Sequence, residues 1–513
     1  MMVSKRLGLV LLFATALSFG VVAQKQLVID ATQEFQPIDG FGASDAWRTQ
    51  FVGENWPEHK REQIAELLFS KELDAKGNPK GIGLSVWRYY IGSGSTELGD
   101  SSDIQNEWRR SECFQNADGT YDWTKNKGQD WFLRAAKRHG VEKFLGFSIA
   151  APVHMSINGK AYSIGGDPRM NIKPGKLDDY ATYLVDVLEY YHQQGIAFDC
   201  LSPFNEPQWD WSNPRQEGTA ATNEDIYLFV NYLSKALEKS RLETELLIGE
   251  AGKIDFLFEE HGDEARGDQI DAFFNPDSPL YLADLPRVSP FITGHSYFTT
   301  WPLDTQQKTR EQLKSKLAQY PDLNYLQTEF CILEESPEVG SGHKRDLGMN
   351  TALYVARVIH SDLTVAQSQG WEWWTALTTF DYKDGLIYLD TGDPDDLFNR
   401  DRMKQDGEVR ESKLLWAMGN YARFIRPGMV RIAANLEGAS DSLQVSAYKD
   451  NSDAVIVINN HETSTITVDA PQGFQATAMY VTDDKRNLES VRPGRKRLQI
   501  PARSVVTLVG TID

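Results

Sequence analysis

Cysteine is scarce in this chain: Cys113, Cys200 and Cys331 are the only three in 513 residues. That is too few for a disulfide framework, so stability has to come from a hydrophobic core. No Cys-x-x-Cys pair and no His-Glu-x-x-His occurs, so no zinc site is indicated, and no cofactor or other metal is expected. Positive charge is short as well. Lys and Arg number 53 against 73 Asp and Glu, a net charge of -20, which argues against nucleic acid or an anionic membrane as partner. A neutral or weakly charged substrate fits better. Internal repeats and low-complexity linkers are absent.

Aromatic residues, by contrast, are plentiful: 13 Trp and 20 Tyr supply many of the flat faces on which sugar rings stack. At the N-terminus Lys5-Arg6 precedes the apolar run LGLVLLFATALSFGVV and then Ala23. A basic head, a short apolar stretch and a small residue predict a signal peptide, residues 1–23, and hence an exported protein, periplasmic, surface-held or released. The alternative, a retained anchor, is disfavoured because the run is shorter than the roughly 20 residues a spanning helix needs. No membrane insertion is expected after cleavage.

Between residues 38 and 424 short apolar runs alternate with longer helical patterns, as parallel strands do with crossover helices. Eight strands are expected, at 37–44, 81–92, 143–152, 198–207, 245–252, 291–297, 324–330 and 371–377. Each is followed by a helical pattern, among them PEHKREQIAELLF, LDDYATYLVDVLEYYHQQG and NEDIYLFVNYLSKALEKS. Eight such units predict an α/β chain built as a (β/α)8 barrel, with its active site at the C-terminal ends of the strands. After residue 425 the helices stop and runs such as LQVSAYKD, DAVIVINNH and SVVTLVG alternate apolar and polar residues. Residues 425–513 therefore predict a β-sandwich, to which 24–37 contribute a strand.

In LSPFNEPQWDW (201–211) Pro207 removes a backbone donor and biases Glu206 towards an extended strand end. Glu329, in LQTEF, ends the seventh expected strand, and no other Glu stands so at a strand end with polar flanks. Alternation places Ser202, Phe204 and Glu206 on one face, and Gln327 with Glu329 on one face. Two carboxylates at one barrel mouth are what glycoside hydrolysis uses, one protonating the leaving oxygen, the other attacking or activating water. Trp209 and Trp211 are candidate walls beside them. Arg88 fits either the orientation of a Glu or a structural ion pair. His295 and Tyr297 end the sixth strand, where a Tyr hydroxyl can steady Glu329 and a His is often a satisfied core residue. In WEWWTAL, Trp371 and Trp373 share one face and Trp374 takes the other; Trp373 is the expected floor of the sugar. The acidic loop 381–396 lacks ordered calcium-ligand spacing and is expected to be solvated.

NEP ending strand four, a second Glu ending strand seven, GFGAS near the start and AAPVHMSING after strand three together resemble glycoside hydrolase family 30, over nearly the whole chain. The resemblance implies a retaining (β/α)8 glycosidase without a catalytic metal, with Glu206 as general acid/base and Glu329 as nucleophile. Asn205, beside Glu206, is then the candidate donor to the sugar 2-hydroxyl, unless it is a plain turn residue. The loop after strand three departs from the family in carrying His154, not Trp, before Met155, which alters one wall of the substrate site. QWDW and QEGT (216–219) most resemble the family's endo-β-1,6-galactanases. A β-1,6-glucanase, a xylanase, an exo-β-glycosidase and a non-catalytic carbohydrate-binding protein remain alternatives. Recognition of a uronic acid would call for basic groups, and the rim reads as acidic and aromatic.

Overall fold

The computed structural model describes residues 25–438 and 442–512. The expected signal peptide, residues 1–23, lies outside them. Eight parallel strands close into a barrel: Gly40–Ser44, Val86–Tyr90, Lys143–Phe147, Cys200–Ser202, Glu245–Ala251, Val288–His295, Asn324–Glu329 and Gly370–Trp373. The last pairs with the first, Gly40 opposite Gly370 and Ala43 opposite Trp373, which leaves no free edge. Every expected strand overlaps one of these eight, with the sixth starting three residues and the eighth one residue earlier than expected. They read as continuous apolar runs because both faces are covered, one by the barrel interior and one by the helices.

The helices form where the apolar period is near 3.6. Thr222 and Asp225 cap the helix Asn223–Lys239 reciprocally, and the helix Lys127–His139 stops at Gly140, whose φ of 77° is left-handed. Trp87, Tyr89, Trp371 and Trp373 point outward from the strands into the core shared with the helices. Trp47, Tyr90, Phe147 and Leu247 fill the barrel interior, with Trp374 packed against them.

Nine strands form a second sheet, in which Lys25–Pro37 lies antiparallel to Val430–Glu437. Most of its pairings are antiparallel, and residues from both ends of the strand order, Val468 and Leu498 at one and Met479 and Val481 at the other, share one hydrophobic core. The sheet therefore folds over itself as a sandwich. It is keyed to the barrel's helices by buried polar contacts: Tyr421 Oη to Asn459 Oδ1 at 3.0 Å and Asn420 Nδ2 to Thr507 Oγ1 at 3.0 Å.

The segment 381–396 differs from the expected solvated loop. Gly385–Asp390 is a strand between Thr375–Thr378 and Glu408–Glu411. Its acidic groups are met by arginines: Asp390 by Arg345 and Arg410, Asp393 and Asp396 by Arg402. No helix among the described residues is long and apolar enough to cross a membrane.

Candidate active site

The fourth barrel strand ends at Ser202, and the chain then runs to Glu206 in a loop whose geometry is not the alternation of a strand. Phe204 turns outward onto Phe229, ring centres 5.6 Å apart. Glu206 has a φ of 51°, left-handed, and this reverses its side chain back into the mouth. Its backbone N–H donates to Glu250 O at 2.8 Å, and its carbonyl accepts the Trp211 indole N–H at 2.9 Å. On the seventh strand, Thr328 reaches inward to Glu250, while the Gln327 amide donates to the carbonyl of Glu329. Pairing with the sixth strand slips between Gly294–Gln327 and His295–Glu329. That slip, not shared facing with Gln327, aims Glu329 into the mouth.

A carboxylate oxygen of Glu206, one of Glu329 and a ring nitrogen of His295 all lie within 4.8 Å of one another. Glu206 and Glu329 are 7% and 4% exposed, so both carboxylates are largely out of water. Arg88, wholly buried, donates from Nη1 to Glu329 Oε2 at 2.6 Å and from Nη2 to Asn205 Oδ1 at 3.0 Å and Glu250 Oε2 at 3.3 Å. Tyr297 Oη donates to Glu329 Oε1 at 3.0 Å. Because the Asn205 oxygen is taken by Arg88, its amide N–H groups face the other way, and among the described residues nothing accepts from them.

His295 bridges two carboxylates, Nδ1 to Glu206 Oε1 at 2.9 Å and Nε2 to Glu250 Oε2 at 2.8 Å. Burial opposes its charge, but Glu329, Glu206 and Glu250 outweigh burial and raise its pKa to about 10. Both ring nitrogens are thus N–H donors at neutral pH, which makes the ring a poor metal ligand. Glu250 is also buried, yet Arg88 and His295 hold its pKa down at about 2. Burial pushes Glu206 above the usual carboxylate range, against the His295 N–H and with help from Glu329. Beneath them Glu372, on the eighth strand, is pushed by burial to about 8. Arg88 and His295 carry two positive charges, Glu250 and Glu329 two negative ones, and Glu206 can then hold a proton without leaving the cluster charged.

Glu250, next to last in the fifth strand, is not signalled by the sequence: buried in the apolar run LLIGEA it has no polar flank, and Glu329 is the only strand-end partner for Glu206 that the sequence offers. Trp373 is corrected too. It is 0% exposed, stacks outward with Trp371 and gives its indole N–H to Asp384 O at 2.7 Å, so it offers no face to a sugar. Trp374 shares the inner side with Glu372 and meets Trp47 edge-on at 5.6 Å. Trp209 lies half-buried with its indole over Gly252, where a Cβ would stand 2.2 Å from Nε1, and edges against Phe298. His154 is half-buried in its loop, its Nε2 3.0 Å from Gln115 Oε1, and is bonded to none of the carboxylates.

QEGT has a structural explanation. Glu217 is fully buried and accepts from Tyr90 Oη, Ser111 Oγ and the backbone N–H groups of Ser93 and Ser95, tying the loop after strand four to the loop after strand two. Gly218 lies under Trp211, where a Cβ would come 2.6 Å from the indole. The rim is also less acidic than expected, since half-buried Arg109 and exposed Arg400 stand on it, with Arg48 covered behind them.

The sequence profile of O-glycosyl hydrolase family 30 matches residues 24–388. A crystal structure described as a conserved exported protein from Bacteroides fragilis superposes with a TM-score of 0.90 at 36% identity, covering 94% of this chain and all of the other. The glucuronoxylanase XynC of Bacillus subtilis (strain 168) is 27% identical over 506 residues, 95% of this chain and 92% of its own. The endo-beta1,6-glucanase BT3312 shares the fold, with a TM-score of 0.66 at 16% identity over 95% and 94% of the two chains. A buried carboxylate pair at the mouth of a closed (β/α)8 barrel, a folded side sheet and a profile spanning most of the chain lead to one assignment: this chain belongs to glycoside hydrolase family 30 and is an O-glycosyl hydrolase.

Proposed function

We propose that the chain is a retaining β-glycanase, with Glu329 as nucleophile and Glu206 as general acid and base. The observation that carries this reading is the approach of the two carboxylates, oxygens within 4.8 Å. Retaining enzymes hold the pair about 5 Å apart, whereas inverting ones leave about 6.5–9.5 Å for a water. In the first step a Glu329 oxygen bonds the anomeric carbon while the bond to the leaving oxygen breaks, and Glu206 gives that oxygen its proton. In the second, Glu206 takes a proton from water, the water oxygen bonds the anomeric carbon, and Glu329 departs. Arg88 and Tyr297 each hold one Glu329 oxygen in place, and the Asn205 amide is oriented to donate to the 2-hydroxyl. Loss of the Glu329 charge in the glycosyl ester lowers the Glu206 pKa, which suits its second role as base.

For the substrate we propose endo-cleavage of β-1,6-linked galactan, on the resemblance carried by QWDW and QEGT and on the polar edge of exposed Asp210 beside Trp209. A site that hydrogen-bonds the axial 4-hydroxyl leaves buried polar groups unpaired when glucose binds, so discrimination can be large. The functional division is into a catalytic unit, residues 38–424, and a side domain of 24–37 with 425–513. The protein is exported, with a mature chain starting at Gln24; the likeness to a conserved exported protein supports this.

The mechanism is tested with Glu329→Gly and azide on an activated glycoside: turnover should return and the glycosyl azide should have inverted configuration. Rescue with retained configuration removes Glu329 from the role. Incubation with de-arabinosylated arabinogalactan, β-1,6-glucan and xylan tests the substrate, since cleavage of glucan or xylan alone overturns galactanase and leaves the mechanism standing. N-terminal sequencing of secreted protein reads the cleavage point.

A further inference from the structure

Three arginines from three separate loops meet on one phenyl ring. The guanidinium carbons of Arg48, Arg400 and Arg109 lie 4.4, 5.0 and 5.3 Å from the centre of Phe380. Arg48 follows the first barrel strand, Arg109 lies beyond the second, and Phe380 and Arg400 beyond the eighth, so all four stand on the catalytic face of the barrel. A phenyl face attracts a cation, but that attraction is weak and does not by itself account for three like charges around one ring.

Their compensation by the protein is incomplete. Arg48 Nη2 is 3.6 Å from Asp384 Oδ2, an ion pair too long for a hydrogen bond. Arg109 has one bond, a long 3.4 Å contact to Gln216 Oε1. Among the described residues neither Arg109 nor Arg400 has a carboxylate within ion-pair distance. Arg48 Nε and Nη1 and Arg109 Nε are buried without an acceptor. Three guanidiniums against the single carboxylate of Asp384 leave an excess of two positive charges, in a chain whose net charge is -20. Burial lowers the pKa of Arg48 to about 9 and lowers that of Arg109 as well, the response expected of cations lacking a counter-ion.

The cluster also lies near the inner side of the eighth strand: Arg48 is 5.9 Å from the ring of Trp47, which packs edge-on against the half-buried Trp374. Exposure is graded, with Arg400 open, Arg109 half-buried and Arg48 1% exposed behind them. An anion entering from solvent therefore meets free donors first and a covered charge last.

We propose that Arg48, Arg109 and Arg400, gathered on Phe380, form a subsite for an oxyanion carried by the substrate, the carboxylate of a uronic acid or a sulfate ester on a sugar. Guanidinium forks match both groups bidentately. The inference rests on the barrel mouth being a glycan site and not on galactose being the sugar.

The test uses the full chain and its Arg109→Gln, Arg400→Gln and Arg109→Lys variants. On whichever backbone is cleaved, kcat/KM is measured for matched oligosaccharides that are neutral, uronate-bearing or sulfated. The expected result is a preference of about tenfold or more for one anionic substrate at low salt, expressed in KM. It should shrink as salt screens the exposed charge, fall towards one in both Gln variants and return in part with Lys. The two anionic arms tell carboxylate from sulfate. Calorimetry of the same oligosaccharides with the wild type and the Gln variants reads binding directly, so the answer does not depend on turnover. Equal or better use and binding of the neutral oligosaccharide overturns the proposal, as does a preference that survives both Gln substitutions. Which backbone is cleaved judges the galactanase reading separately.

Discussion

Glu206 and Glu250 are joined backbone to backbone, the N–H of Glu206 donating to the carbonyl of Glu250 at 2.8 Å, and both hold left-handed φ angles, 51° and 48°. Left-handed backbone at a non-glycine residue costs on the order of 1 kcal/mol or more and persists where its surroundings over-determine it. Here His295 spans the two side chains as well, so main chain and side chain fix the same pair. The acid/base proposed for this enzyme is thereby held by a carboxylate that takes no part in the reaction.

Glu206→Gln should spare glycosides whose leaving group needs no proton and slow natural glycans by roughly 10²- to 10⁴-fold. Equal losses on both classes, measured as kcat/KM on an aryl glycoside and an oligosaccharide, would show a supporting role only.

His295→Gln should move the alkaline limb of the kcat/KM profile upward, because the imidazolium lowers the Glu206 pKa and its removal leaves burial less opposed. The same change should destabilise the fold. His295 has its pKa raised from 6.5 to about 10, so its contribution is complete below pH 6.5 and is lost as pH climbs through 10. Melting curves of wild type and variant should therefore converge towards pH 10.

Glu372→Gln should stabilise the protein, increasingly so as pH rises. The buried Glu372 carboxyl has an unpartnered Oε2 and a pKa of about 8 against 4.5 when unfolded. The unfolded chain gains from ionising above pH 4.5 and the folded chain does not until about 8, so the wild type is penalised across that window, by at most about 3 kcal/mol at pH 7. No difference in Tm is expected at pH 4, and a variant less stable at pH 7.5 would contradict the assignment.

Gly218→Ala should cost activity more than stability. The added methyl would meet the Trp211 indole at 2.6 Å, displacing the ring whose N–H holds the Glu206 carbonyl. A misplacement of about 1 Å at a reacting group can cost on the order of 10²-fold. An unchanged kcat would mean that Trp211 does not position Glu206.

The barrel was legible in the sequence because parallel strands covered on both faces leave unbroken apolar runs such as LLIGEA and KFLGF. Strict alternation carried the reading too far at two places, the left-handed turn at Glu206 and the register slip before Glu329. In WEWWTAL the pattern separates Trp373 from Trp374 but does not say which side faces inward; Glu372, drawn in beside Arg88, decides it. Glu250 and the arginines on Phe380 are invisible for another reason: their meaning is a meeting of distant segments, a strand for Glu250 and loops for the arginines, and no local spacing records it.

The strand Lys25–Pro37 finds its long antiparallel partner only at Val430–Glu437. A growing chain that has made the entire barrel still carries this early segment with a bare edge, and cannot close the sheet until almost everything else exists. The pairing acts as a completeness check: a product cut short before residue 430 keeps thirteen residues of sticky strand exposed, which marks it for aggregation or proteolysis.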